Sequence, residues 1–389
     1  MAAEPKRKLI FVVTDDWFFW SHRRPMAQAA LQAGFDVALA TRVTAHGERI
    51  RALGIRVLPL SWRRGDLGPW ASLKAIIALY WLYRRERPLI VQHVSLKTVL
   101  LGGIAAALAR VPAVVSVVTG TGYLGGWHSI TARLVRATAR VVWRALLLRG
   151  NRWVIVENED DRRAIVALRP AAAGRVVVIA GSGVDLEHFK PLPLPPAPPV
   201  VCAYVGRMIA IKGIATLVEA QQRVRKSGVD LRLVLVGAPD PENPTSIDEA
   251  TLKRWQALRG VSWLGRQEDV RTVWAQAHIA ALTSLGGEGL PMSLVEAAAM
   301  GRPIVATAVP GNRVIAQACV NALLVPPDDP AALAGALAEL AGDPERRRRF
   351  GEAGRRLAEG SLSADAVSDA TGAVYRDVLA TLGSRDAGP

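Results

Sequence analysis

The residues best suited to chemistry lie in one stretch, Ser284-Leu-Gly-Gly-Glu-Gly-Leu-Pro-Met-Ser-Leu-Val-Glu-Ala-Ala-Ala-Met-Gly301, which holds two carboxylates, Glu288 and Glu296. The apolar run His278 to Thr283 reads as a buried strand, and Gly286, Gly287 and Gly289 then form a loop whose backbone can approach a ligand closely. Pro291 suits the first turn of a helix over Pro291 to Met300. Such a helix points its free N–H groups and positive dipole end at the loop and favours a phosphate there. Glu288 then sits beside that phosphate, and Glu296, about one and a half turns into the helix, is a rigidly held acceptor for hydroxyls. Two carboxylates flanking a phosphate site suggest a sugar nucleotide. Carboxylates accept hydrogen bonds from vicinal hydroxyls, while amides and cations hold the diphosphate.

Two cations complete the pattern. Arg207 follows the strand Val200 to Val205, and Lys212 comes five residues later, between Gly206 and Gly213. A departing nucleoside diphosphate gathers negative charge, which fixed cations stabilise. The chain has no Asp-x-Asp, the usual carboxylate pair for a metal-bridged sugar nucleotide, so Arg207 and Lys212 are expected to stand in for a metal.

Glu288-Gly-Leu-Pro-x-Ser-x-x-Glu296-Ala resembles the signature of the retaining glycosyltransferases of family four, which have the two-domain GT-B fold. Further segments match in order: Val205-Gly-Arg207-x-x-x-x-Lys212-Gly213, Gly181-Ser-Gly-Val-Asp-x-x-x-Phe-x-Pro191 and Leu324-Val-Pro-Pro-x-Asp329. The resemblance implies that Glu288 contacts the donor sugar and Glu296 the ribose, with Gly289, Leu290 and Met292 at the phosphates. It also implies transfer with retention, UDP as the nucleotide, and a leaving phosphate that takes the acceptor proton, so no strong protein base is required; with Arg207 and Lys212 in place of a metal, no cofactor or metal is expected.

The elements that must position these groups can be read from apolar periodicity. Runs at 9–14, 35–41, 55–60, 89–94, 113–119, 152–158 and 175–180 alternate with helical stretches such as Pro25 to Ala33 and Ser72 to Arg85, an α/β pattern with a parallel sheet. Pro191 to Pro199 contains six prolines in nine residues and reads as a stiff linker. The pattern resumes at 200–205, 231–236, 261–264, 278–283, 303–307 and 322–325. The expected domains are therefore residues 1–190 and 200–360, two Rossmann-like sheets facing across a cleft. Residues 361–389, with helical spacing from Ala364 to Leu382, are expected to pack back on the first domain, as in the resembling family.

The charge is uneven. Residues 1–190 carry 28 Lys and Arg against 13 Asp and Glu, and residues 191–389 carry 21 of each, so the first half is expected to meet an anionic membrane or polyanion. Two distant cysteines, Cys202 and Cys319, fit a reducing compartment and no zinc site. The apolar run at Leu9 to Val13 is too short for a signal peptide, and the uncharged stretch Val111 to Ala132 is broken by Pro112 and glycines. A cytoplasmic protein without a transmembrane segment is expected.

In the first half, Asp15-Asp16-Trp17-Phe18-Phe19-Trp20-Ser21-His22-Arg23-Arg24 replaces the paired glycines of many family members. With His93-Val-Ser-x-Lys97 and Thr119-Gly-Thr-Gly-Tyr123, it resembles the branch acting on lipid-linked sugars in capsule and O-antigen assembly. Asp16 and His22 are then acceptor-site candidates, His93 a residue that orients the loop, and Thr119 and Gly120 the start of an acceptor loop. Gly120-x-Gly122-x-x-Gly125 mimics a dinucleotide fingerprint, but no Asp or Glu occurs between Glu86 and Glu157 to take the ribose. Arg133, Arg136, Arg140 and Arg144 share one helical face, and Arg63, Arg64, Arg84, Arg85 and Arg87 bracket Trp70, Tyr80, Trp81 and Tyr83. Basic faces with interfacial aromatics suit an anionic leaflet peripheral to the inner membrane. Arg346 to Arg349 lie beside Glu345 and Glu352 and read as solvated surface. The expected partners are a UDP-sugar and a polyprenyl-diphosphate-linked saccharide. A soluble acceptor is the alternative within the fold, and a basic nucleic-acid-binding protein the alternative outside it.

Overall fold

The computed structural model describes residues 7–62, 68–120 and 150–386. They form two α/β units, Met1–Gly183 with Asp365–Pro389, and Val184–Ala364.

The first unit holds β1 (Lys8–Asp15), β2 (Asp36–Arg42), β3 (Arg56–Pro59), β4 (Ile90–Val94), β5 (Ala113–Val118), β6 (Arg152–Val156) and β7 (Val176–Val178). They pair in parallel in the order β3-β2-β1-β4-β5-β6-β7. Each apolar run of the first half forms its strand, because a strand covered on both faces must be apolar throughout. Alternation divides β1 between two cores. Leu9, Phe11 and Val13 join Phe19 and Met26 on one face, and Ile10 and Val12 join Leu79, Tyr83 and Ala105 on the other. The helices are α1 (Asp16–His22), α2 (Arg24–Gln32), α3 (Gly47–Arg51), α4 (Pro69–Glu86), α5 (Leu96–Leu108) and α6 (Glu159–Leu168).

The C-terminal helix, Ala364–Asp386, belongs to this unit. Val367, Val374, Tyr375 and Val378 enter the same core as Leu9 and Phe11. The Tyr375 hydroxyl donates to Gln92 Oε1 at 2.6 Å, which gives a buried phenol the polar partner it needs.

The second unit holds β8 (Val200–Val205), β9 (Leu231–Val236), β10 (Val261–Trp263), β11 (Ile279–Leu282), β12 (Ile304–Thr307) and β13 (Ala322–Val325), parallel in the order β10-β9-β8-β11-β12-β13. Its helices are α7 (Ile214–Lys226), α8 (Glu249–Gln256), α9 (Arg271–Gln276), α10 (Met292–Ala299), α11 (Pro310–Ile315), α12 (Pro330–Gly342) and α13 (Pro344–Glu359). Asp248, Asp329 and Asp343 cap α8, α12 and α13 by accepting first-turn N–H groups.

The proline run Pro191 to Pro199, expected as a stiff linker, lies within the second unit, which begins at Val184. Extended proline backbone leaves carbonyls without strand partners. Here they accept from buried side chains: Arg302 donates to Leu192 O at 2.8 Å and Pro193 O at 3.2 Å, and the His278 ring lies 3.0 Å from Pro195 O.

Candidate functional site

In the second unit the strand order reverses between β8 and β11, the place where parallel sheets usually open to ligands at their carboxyl ends. The loops leaving those two strands are tied together. Thr283 Oγ1 donates to Lys212 O and Gly213 O at 3.0 and 2.9 Å, and Leu285 N donates to Ile211 O at 2.8 Å. Gly213 has φ of +65°, and a Cβ there would meet Thr283 O at 2.1 Å, so only glycine allows this approach.

The tie places Lys212 against Glu288, with Nζ 2.5 Å from Oε1 and side chains 15% and 11% exposed. The Ser284 hydroxyl donates to the same oxygen. Burial opposes the charge on Glu288, but Lys212, Ser284 and Arg207 outweigh it, and the carboxyl is held below its ordinary range. Gly311, at the start of α11, lets the backbone of Glu288 and Gly289 lie close, since a Cβ there would fall 2.5 and 2.4 Å from their carbonyl oxygens.

Glu296 lies in α10, half-buried, with no side-chain partner among the described residues. Burial pushes its carboxyl up to about 8. Pro291, the N-cap of α10, has no side chain that accepts, and the N–H groups of Met292 and Ser293 find no backbone acceptor among the described residues. Gly289 and Leu290 are buried just before them. Arg207 lies nearer solvent, 48% exposed, and pairs with Asp240 at 2.9 Å, while Tyr204 Oη fixes its carbonyl at 2.9 Å. Lys212 meets Glu288 directly, and Arg207 lies near enough to act on the same carboxyl. The sequence did not show that each cation already holds a carboxylate.

In the first unit the order reverses between β1 and β4. Asp16 opens α1 and is fully buried. Its carboxylate accepts from the Thr44 hydroxyl, from Thr44 N at 2.8 Å and from His46 N at 2.9 Å. Burial opposes its charge, but those donors outweigh it and lower its pKa. Asp16 therefore fastens the loop after β2 to α1. His22 stacks on Phe18 in the last turn of α1, with ring centroids 4.7 Å apart. Thr119 and Gly120 are half-buried just past β5. Residues 121–149, with Gly122, Tyr123, Gly125, Arg133, Arg136, Arg140 and Arg144, lie outside the described residues, as do Arg63 and Arg64.

His93, expected to orient the neighbouring loop, lies in the strand that the run 89–94 predicted. It belongs to β4, fully buried, with Nε2 2.9 Å from Tyr83 Oη and its ring so near Gly102 that a Cβ there would fall 2.4 Å away. Burial, with a contribution from Arg152, pushes its pKa down to about 3, so the imidazole is a neutral core group.

Two sequence models of known families match the chain. "Glycosyl transferase 4-like" matches residues 8–146, and "Glycosyl transferases group 1" matches residues 199–343. The first unit thus carries a glycosyl transferase 4-like domain and the second a glycosyl transferases group 1 domain. Among relatives, the UDP-Gal:alpha-D-GlcNAc-diphosphoundecaprenol alpha-1,3-galactosyltransferase of Escherichia coli is 27% identical over 70% of this chain and 71% of its own length. The MMP alpha-(1->4)-mannosyltransferase of Mycolicibacterium hassiacum is 30% identical over 65% of this chain and 64% of its own length. The chain spans 41% of a further relative assigned to colanic acid biosynthesis in Escherichia coli K12. Among solved structures, sucrose-phosphate synthase from Thermosynechococcus elongatus superposes with a TM-score of 0.79 at 22% identity, covering 96% of this chain and 100% of that one. HepE of Anabaena in complex with UDP-glucose gives 0.71 at 17%, covering 97% and 99%. At these identities the likeness is one of fold, and that fold is GT-B.

The sequence did not reveal the buried pair of Arg23 and Glu157, 3.0 Å apart, in which Arg23 also reaches Gly181 O. Nor did it reveal Asp15 with Arg42, 2.6 Å apart. The only available signal was a charge beside an apolar strand end, and the partner lies too far along the chain to be guessed. Thr307 was missed as well. Its hydroxyl donates to Ser284 O at 2.6 Å and so holds the loop that carries Glu288.

Proposed function

We propose that this protein transfers one sugar, with retention of anomeric configuration and without a metal, from a UDP-sugar to a polyprenyl-diphosphate-linked saccharide. The reaction would take place at the cytoplasmic face of the inner membrane, in surface polysaccharide assembly. The observation that carries this reading is the bonded pair of Lys212 and Glu288 at the β8/β11 reversal, beside the unpartnered Glu296 and the open N-terminus of α10. Glu296 accepts from the ribose hydroxyls, and Met292 and Ser293 give their N–H groups to the phosphates. Glu288, kept ionised by Lys212, meets the donor sugar. The anomeric carbon–phosphate oxygen bond breaks while the acceptor oxygen bonds the same face, and the acceptor proton passes to the departing phosphate. Arg207 and Lys212 balance the charge that UDP acquires. The lipid-linked acceptor is supported by the diphosphoundecaprenol named for the galactosyltransferase relative and by the basic first half of the chain. No helix among the described residues is long and apolar enough to cross a membrane, so contact with it would be peripheral.

Thermal unfolding with UDP, GDP, ADP, NAD and an oligonucleotide, each titrated separately, tests the donor site. UDP at a hundred times its dissociation constant stabilises the wild type by about 2.7 kcal/mol, and Glu296→Ala loses most of that response. A response to NAD or the oligonucleotide alone sinks the reading. Transfer to a lipid-linked acceptor that continues in EDTA supports the metal-free route, and loss of transfer in EDTA refutes it.

A further inference from the structure

Helix α4 is apolar on two opposite faces. Ala75, Leu79 and Tyr83 enter the core, whereas Trp70 (76% exposed), Leu73, Ile77 and Trp81 (64%) form a stripe that faces outward. A surface helix normally turns a polar face to water, and a contiguous exposed apolar stripe marks a contact surface. Along this stretch of the chain the charge is almost all positive. Between residues 67 and 110 the only acid is Glu86, and Lys8 and Arg56 already hold it at 2.9 and 3.0 Å. Lys74, Arg84, Arg85, Arg87 and Arg110 pair with no carboxylate among the described residues.

Past the carboxyl end of α4 lies a cavity of about 250 Å³ lined by Arg84, Arg87 and Arg110 together with Tyr83, Pro88 and Pro112. Arg87 and Arg110 both have left-handed backbone, φ 49° and 57°, just after α4 and α5, where helices usually end on glycine. Arginine at those two positions brings two guanidinium groups to one cavity, a geometry suited to phosphate oxygens.

We infer that the outward face of α4 seats on an anionic phospholipid leaflet, its tryptophans at the interface and a lipid phosphate among Arg84, Arg87 and Arg110. Charge complementarity selects this occupant, since a neutral protein surface would leave five cations unpaired. The inference rests on the membrane-linked acceptor proposed above and names the surface that would bring the protein to it.

The test is flotation with vesicles of phosphatidylcholine alone and of phosphatidylcholine with phosphatidylglycerol. Two variants are compared with wild type: Trp70→Ser with Trp81→Ser, and Arg87→Gly with Arg110→Gly, the latter removing charge while easing the backbone. Wild type floats with the anionic vesicles only. Each cation removed lowers partition roughly fivefold, equivalent to about 1 kcal/mol, and the tryptophan variant loses at least about tenfold. Both variants keep the wild-type thermal response to UDP, which shows them folded. Flotation of either variant like wild type, or equal binding to neutral vesicles, overturns the surface. So does a thermal shift with glycerol phosphate from a protein that never floats, or retention by an oligonucleotide in place of vesicles. Loss of UDP response with flotation intact counts against the transferase reading and leaves this surface standing.

Discussion

Replacing Lys212 by methionine keeps the length of the side chain and removes the ammonium that holds Glu288. Breaking a buried pair from one side costs roughly 3–5 kcal/mol, because the remaining charge is left uncompensated. The two side chains are 15% and 11% exposed, which tempers the loss to about 2–4 kcal/mol. For a unit of this size that is a fall in Tm of roughly 4–16 °C. The pH dependence gives the sharper test. In the wild type the lowered pKa of Glu288 contributes stability above the ordinary carboxylate range, and that stability is lost as pH falls through the folded value. Without Lys212, burial raises the folded pKa above the unfolded one, so the sign reverses and stability is lost as pH rises. The deficit of Lys212→Met is therefore greater near about pH 8 than near about pH 5, and adding Glu288→Gln recovers most of it. Chemical denaturation of the wild type, both single variants and the double variant at the two pH values completes the cycle. An equal deficit at both, with no recovery in the double variant, refutes the account of Glu288 as a buried charge held by Lys212.

Glu296→Gln gains stability over the wild type as pH rises from about 5 to about 9, by a few kcal/mol, because a carboxyl raised to about 8 must be charged against its burial in that window. Denaturant midpoints across the range check it, and a flat difference counts against burial as the cause. Gly213→Ala forces a Cβ into the Thr283 carbonyl and costs roughly 2 kcal/mol or more, weakening UDP binding through the displaced Lys212; unfolding and UDP titration read both. Tyr375→Phe strips the donor from Gln92 Oε1 and destabilises the first unit by about 1–3 kcal/mol. Hydrogen exchange in β1 and β4 should quicken, and unchanged protection there would mean that the C-terminal helix does not stabilise that core.

The two sheets were legible because their central strands, β1, β4, β5, β11 and β12, are buried on both faces and so write themselves as short apolar runs, while the edge strands β3, β7 and β10 are partly exposed; Val200–Val205, Leu231–Val236 and Ala322–Val325 are strands over the residues where the runs lie. The helix bearing Glu296 was legible from Pro291 and its spacing, to within a residue at either end. What was not legible is which charges meet. Lys212 and Glu288 are 76 residues apart, and they touch because β8 and β11 are neighbours at the order reversal and Gly213 admits the Thr283 carbonyl. That adjacency is a property of topology, which local pattern does not encode. Asp16 shows the converse. Its type and place after β1 suggest chemistry, yet three donors from Thr44 and His46, 28 and 30 residues on, occupy it. A carboxylate beside a strand end is thus informative only once its donors are counted. By that measure Glu296, half-buried and without a donor, is the carboxyl left open to the proposed ligand, whereas Glu288 is already satisfied by Lys212 and Ser284.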